Sequence, residues 1–174
     1  MKNLLRDIGV TLALALAIFL PLQTTFQSFV VIGCSMEPSF EDGERLLVNK
    51  IARELDRGDV IIFKPPNHPN VEYIKRVIAL PGDSVKIQNG VVYINGVKLD
   101  EPYIKEPPHY TMPQKIIPTA NYFVLGDNRN NSIDSHKGWT VPSQNVIGKA
   151  WLRIWPPGEW GTVTHYPLEK QLVS

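Results

Sequence analysis

The 174-residue chain reads as mainly β with one helix at its N-terminus. Three observations carry that reading. A charge-free run near the start is long enough for a spanning helix. Short segments rich in β-branched and aromatic residues follow, separated by turn residues. Two Asn-Gly pairs, Asn89-Gly90 and Asn95-Gly96, lie between alternating apolar and polar positions, the signature of type I′ hairpin turns. The 15 prolines and 12 glycines suit short strands better than long helices.

The first element is the run "MKNLLRDIGVTLALALAIFLPLQTTFQSFVVIG". Ile8–Val30 carries no charge, and 23 helical residues reach about 35 Å, enough for the hydrocarbon core with some tilt. A cleavable leader would place a small-x-small site after the apolar stretch, whereas Ala13-Leu14-Ala15 and Ala15-Leu16-Ala17 lie inside it. The favoured reading is an uncleaved anchor. Lys2 and Arg6 precede it, which puts residues 1–6 in the cytoplasm, 7–30 in the bilayer and 31–174 on the far side.

The body follows as short strands. "ERLLVNKIA", "DVIIFK" and "VEYIKRVIAL" are strand candidates, and "VKIQNGVVYINGVKL" is a three-stranded meander. Glu101–Pro118 is Pro-rich and reads as an extended arm, with 81–120 as a small β cap. "NYFVL" is a strand leading into a polar loop, and "NVIGKAWLRIW" is the last strand. The mainly β class follows.

Eighteen basic residues against 17 acidic ones give no field that would attract nucleic acid. The single cysteine, Cys34, rules out an intrachain disulfide; it reads as a small buried hydrophobe or as a reactive thiol. No cofactor or metal is called for. The histidines at 68, 109, 136 and 165 lack zinc spacing. A calcium loop starting at Asp127 fails, because Arg129 takes its third position, Ser132 its glycine position and Gly138 its terminal glutamate position.

Three places carry chemistry. Ser35 sits in the bend "GCSMEPSF", where a hydroxyl caps backbone groups or, with a base beside it, becomes a nucleophile. Lys75 lies on a strand face with Val71, Tyr73, Val77 and Ala79, while Glu72, Ile74, Arg76 and Ile78 take the other face, where Arg76 and Glu72 could pair. Apolar flanks make Lys75 either a snorkelling edge residue or a buried amine of lowered pKa, fit to be a general base. The third place is "GDNRNNSIDSH", a turn-rich loop in which Asp134 and His136 suggest a hydrogen-bonded loop rather than a triad.

Together these segments resemble the type I signal peptidases, membrane-bound serine proteases with a Ser/Lys dyad. "GCSMEPSF" is similar to that family's nucleophile segment, "GERLLVNKIA" and "RGDVIIFKPP" to the strands after it, "YIKRVIALPGD" to its general-base segment and "GDNRNNSIDS" to its last box. The resemblance runs from the anchor to about Trp151. It implies a signal-peptidase-like β catalytic domain with a small meander cap. It implies Ser35 as nucleophile, Lys75 as neutral base, and Ser132 as the group that hydrogen-bonds the lysine. Asp134, Asp127, Asn128 and Arg129 would shape the supporting loop. The oxyanion would rest on Ser35 N–H at a position flanked by Gly33, where many members carry a serine. Ile32, Met36, Phe40 and Ile74 would wall the substrate pocket. Two further departures are His136, where arginine is frequent, and Ser39, where threonine is commoner.

The implied partners are secretory preproteins with small residues before the cut, bound as an added strand near Val31–Gly33 and Tyr73–Lys75, and the lipid bilayer. Lys149, Trp151, Arg153 and Trp155 share one face of the last strand, which suits lipid headgroups or ordinary packing under a loop. Two rivals stay open at this level: another Ser/Lys peptidase of the same fold, and an anchored β domain that only binds.

Overall fold

The computed structural model describes residues 2–52 and 54–172. Helix α1 (Lys2–Thr25) leads into strand β1 (Phe26–Val30). Then come β2 (Arg45–Asn49), β3 (Val60–Phe63), β4 (Tyr73–Ala79), β5 (Ser84–Gln88), β6 (Val91–Ile94), β7 (Val97–Lys98) and β8 (Met112–Ile116). The chain continues through β9 (Asn121–Leu125), β10 (Val141–Pro142), β11 (Val146–Trp155) and β12 (Gly161–Thr162) to the short helix α2 (Glu169–Leu172).

The expected helix through Val30 is therefore five residues too long. After Gln23-Thr24-Thr25 the chain turns extended, and Phe26–Val30 pairs antiparallel with β2. The cause is packing: Phe29 and Val31 are buried in the core that β2 helps to form, whereas residues of α1 such as Leu12, Leu16 and Phe19 are exposed. Leaving such side chains in water costs roughly 1.5–3 kcal/mol each, which an apolar solvent removes. The stretch Arg6–Thr25 is long and apolar enough to cross a membrane, with none of it buried against the body.

The larger sheet has the order β1-β2-β11-β3-β4-β9-β10, with β12 on β11. It curls around a core of Phe29, Val31, Met36, Phe40, Leu46, Val48, Val60, Ile62, Ile74 and Ala150. Four antiparallel pairings separate β1 from β4, so these two strands run in the same direction. β3 is buried on both faces, with Ile61 and Phe63 packing into a second cluster with Val77, Val124 and Val141. This explains its unbroken apolar run.

The chain between β4 and β9 forms the second sheet, β7-β6-β5-β8. Asn89, Gly90, Asn95 and Gly96 all have positive φ, as the two hairpin turns require. Val85, Ile87, Val92 and Ile94 pack on Ile78, Phe123 and Leu125 of the larger sheet. The expected Pro-rich arm is partly a strand, because β8 pairs with β5. Pro113 is tolerated there because β8 is an edge.

The last long strand also departs from simple alternation. Bulges between Ala150 and Leu152 and between Arg153 and Trp155 break it. Lys149 turns to Asp59 at 2.6 Å, and Arg153 to Glu44 at 3.2 Å and Glu159 at 3.0 Å. Both cations are thus occupied by carboxylates, while Trp151 and Trp155 remain exposed. Trp151 stacks on Phe26 at 5.2 Å, at the foot of α1.

Candidate active site

The bend that carries Ser35 follows β1 directly. Val31 N–H donates to Glu44 O across it, and Gly43 N–H donates to Val31 O. Gly33 has φ +81°, a conformation that favours glycine, and its N–H donates to Asp42 Oδ1 at 2.6 Å. That donor is committed, so Gly33 contributes no amide to an oxyanion. Ser35 N–H has no protein acceptor among the described residues.

Lys75 enters from the early part of β4. Its Nζ lies 2.6 Å from Ser35 Oγ and 2.7 Å from Ile74 O. The side chain is buried, with Tyr73 and Val77 on the same face in the flanking cluster. Burial lowers its pKa to about 8, while the Asp134 and Asp127 carboxylates pull it back up. A hydroxyl and a largely desolvated amine therefore touch across 40 residues of sequence.

The "GDNR" loop holds this pair from the other side. Asn128 N–H donates to Ser35 O, and its Nδ2 to Cys34 O at 3.0 Å. A Cβ on Gly126 would collide with Ser35 O and Ser132 Oγ, so only glycine allows the approach. Asp127 binds Arg76 through two bonds of 2.9 and 2.6 Å, both side chains being fully buried. Arg76 thus pairs 51 positions away and not with Glu72, since the fold buries Arg76 and leaves Glu72 exposed. Arg129 makes a bidentate pair with Glu101, and Tyr103 lies against both guanidinium groups. Asp134 accepts from Gly126 N–H at 2.9 Å and lies 2.6 Å from His136 Nδ1, so His136 is its partner.

Three expectations need correction. Ser132 Oγ is buried beside the pair but has no hydrogen-bond partner among the described residues; Lys75 Nζ takes Ser35 and Ile74 instead. Met36 and Phe40 are buried in the core and do not line the groove that passes Ser35 and Lys75. Ile32 and Ile74 do line it, with Phe29, Val30, Val71, Tyr73 and Ile133 beside them. The groove encloses about 920 Å³ and runs past Ser35 and Lys75. Strand β4 gains its β9 partner only from Arg76 onward, which leaves Tyr73–Lys75 an open edge. Sequence reasoning missed Gly126, Asp42 and Glu101; the bare "LGD" after a strand was the one available sign of a close approach.

The family model for signal peptidase, peptidase S26, matches residues 2–155. The chain belongs to the signal peptidase family. It is 46% identical over 137 residues to a protein named "Probable signal peptidase I-1" from Synechocystis sp., covering 73% of this chain and 70% of that one. It is 41% identical over 169 residues to a signal peptidase I of Leptolyngbya laminosa, covering 90% and 81%. The crystal structure of a signal peptidase I from Enterococcus faecalis V583 superposes with a TM-score of 0.50 at 32% identity, over 55% of this chain and 96% of that one. Signal peptidase membership makes the chain a hydrolase, a serine endopeptidase. The exposed apolar helix accords with a membrane protein of this family.

Proposed function

We propose that the protein is a type I signal peptidase that frees secretory preproteins from their signal peptides through a Ser35 acyl-enzyme. The observation that carries this reading is the 2.6 Å approach of a buried lysine amine to the Ser35 hydroxyl, at the floor of an open groove. Unprotonated Lys75 takes the Ser35 proton as Oγ attacks the scissile carbonyl. Ser35 N–H supports the resulting oxyanion. Collapse expels the new N-terminal amine, which takes the proton from the Lys75 ammonium. Lys75 then deprotonates water, the water attacks the ester, and Ser35 recovers its proton.

Asp127, Asn128, Arg129 and Asp134 hold the loop that fixes the Ser35 carbonyl, and Ser132 lies against the dyad as a buried hydroxyl. The open edges at Ile32–Gly33 and Tyr73–Lys75 suit an extended substrate added as a strand. Ile32 and Ile74 suit small residues before the cut. Residues 26–172 form the catalytic body on the extracytoplasmic side, with the sheet inside 81–120 as its cap and residues 7–25 in the bilayer. Lys2 and Arg6 favour a cytoplasmic N-terminus. Phe26 and Trp151, stacked at the foot of α1, suit the lipid interface.

The test is cleavage of a synthetic preprotein by the full-length chain in detergent. The wild type cuts after the small-residue motif, and Ser35→Ala and Lys75→Ala do not. Undiminished cleavage by either variant would remove the dyad from the mechanism.

A further inference from the structure

The groove has a direction. β1 follows α1 at Thr25–Phe26, and β1 and β4 run the same way, so both leave the membrane side and climb toward the dyad. Ser28–Val30 and Val71–Ile74 therefore line the part before Ser35 and Lys75. Asn130–Ile133 and Lys137 line the groove as well. Ser135 accepts from Val124 N–H, Val124 pairs with Val77 past Lys75 along β4, and Gly138 O accepts from Lys115 of the second sheet, so Lys137 lies beyond the dyad. A signal peptide has its apolar stretch in the bilayer, so residues before the cut occupy the first part. The first residues of the mature chain pass the second. This direction rests on the function proposed above.

The two parts differ in charge. Among the described residues, Glu72 is the one carboxylate lining the groove, and it lies on the membrane side. Beyond the dyad, Lys137 is exposed, with no carboxylate in reach among the described residues. Lys115 Nζ donates to the carbonyl of the next residue, Gly138, at 3.0 Å, which brings a second ammonium to the same corner. The nearest acidic group in sequence, Asp134, is fully buried and engaged by His136.

We propose that Lys137, reinforced by Lys115, makes the enzyme favour preproteins with an acidic side chain in the first few positions after the cut. The carboxylate pairs with ammonium groups that have no carboxylate partner among the described residues, while a basic side chain meets repulsion.

The test uses full-length protein in detergent and three synthetic preproteins, identical except for Glu, Gln or Lys at the second position after the cut. The reading is the ratio of kcat/KM for the Glu substrate over the Lys substrate within each variant, so a general change in activity cancels. The wild type gives a ratio of about two to five, the scale of one exposed ion pair. The ratio falls toward one as salt rises from ~50 mM to ~0.5 M. In Lys137→Glu it drops below one, and in Lys115→Glu it moves the same way by less. A wild-type ratio near one with good cleavage of the Gln substrate overturns this inference alone. A ratio unchanged in Lys137→Glu also overturns it. No cleavage of the Gln substrate overturns both this inference and the function it rests on.

Discussion

Replacing Lys75 by Met keeps an unbranched side chain, one atom shorter, and removes the titrating amine. In the folded protein that amine holds its proton with a pKa of about 8, against 10.5 for a free lysine, because burial penalises the charge. At ~1.4 kcal/mol per pH unit, the protonated lysine costs folding ~3 kcal/mol at pH 7. The sign follows from proton counting. Between pH 8 and 10.5 the unfolded chain binds more protons than the folded one, so stability rises with pH there. Met at this position has no such dependence. The stability of the wild type minus that of Lys75→Met should therefore be nearly flat below about pH 7 and rise by ~2.5 kcal/mol between pH 7 and 10. Urea unfolding of the full-length protein in micelles, followed by tryptophan fluorescence across that range, gives the difference directly. All other titrating groups cancel in it.

The same proton governs the rate. Only unprotonated Lys75 accepts from Ser35, so kcat/KM should climb close to tenfold per pH unit below its midpoint and level off above about pH 8. Loss of the base should lower kcat by ~10²–10⁴-fold. Agreement of the two midpoints, one from stability and one from rate, identifies the group. A wild-type profile flat from pH 5 to 9, or a stability difference with no slope above pH 8, would refute the reasoning.

Asp127→Ala leaves Arg76 as a buried guanidinium with Gly58 O and a long bond to Ser39 as its remaining partners. The expected loss is ~3–5 kcal/mol by denaturant unfolding, and a loss under ~1 kcal/mol would mean that water reaches the site. Gly126→Ala forces Ser35 O and Ser132 apart. Since a displacement of about 1 Å at a reacting pair costs ~10²-fold, kcat/KM should fall by that order, and near-normal activity would show that the loop gives way freely. Cys34 lines the groove beside Ser35 and is partly accessible. N-ethylmaleimide should therefore block cleavage in the wild type and spare Cys34→Ala; equal inactivation of both would point to another target.

The fold was legible where local chemistry dictates it. Asn89-Gly90 and Asn95-Gly96 require a left-handed backbone, so the meander could be read without any tertiary knowledge. β8 was hidden because it is an edge strand with mostly exposed side chains and a proline, so it shows neither period nor apolar content. The end of α1 was hidden for the opposite reason. A lipid-facing helix and a strand that buries Phe29 both demand apolar residues, and hydropathy runs across the join without a step. The polar trio Gln23-Thr24-Thr25 is the sole local mark of the change.

The site divides along the same line. Alternation gave Lys75 its apolar flanks, since period two is a property of the strand itself. What Lys75 touches depends on the curl of a whole sheet, which brings position 35 to position 75; resemblance, not pattern, joined them. Partners fixed by that curl were misassigned when read locally. Arg76 looked toward Glu72, four residues back along the edge, but a buried guanidinium needs a carboxylate that is itself buried and held, and Asp127 is one. Ser132 shows the limit of carrying a role over by position. The loop brings its hydroxyl to the dyad, yet Ile74 O, one residue from Lys75 and fixed by the strand, takes the amine's second bond. A backbone carbonyl has no side-chain signature, so no inspection of residue types could have named it.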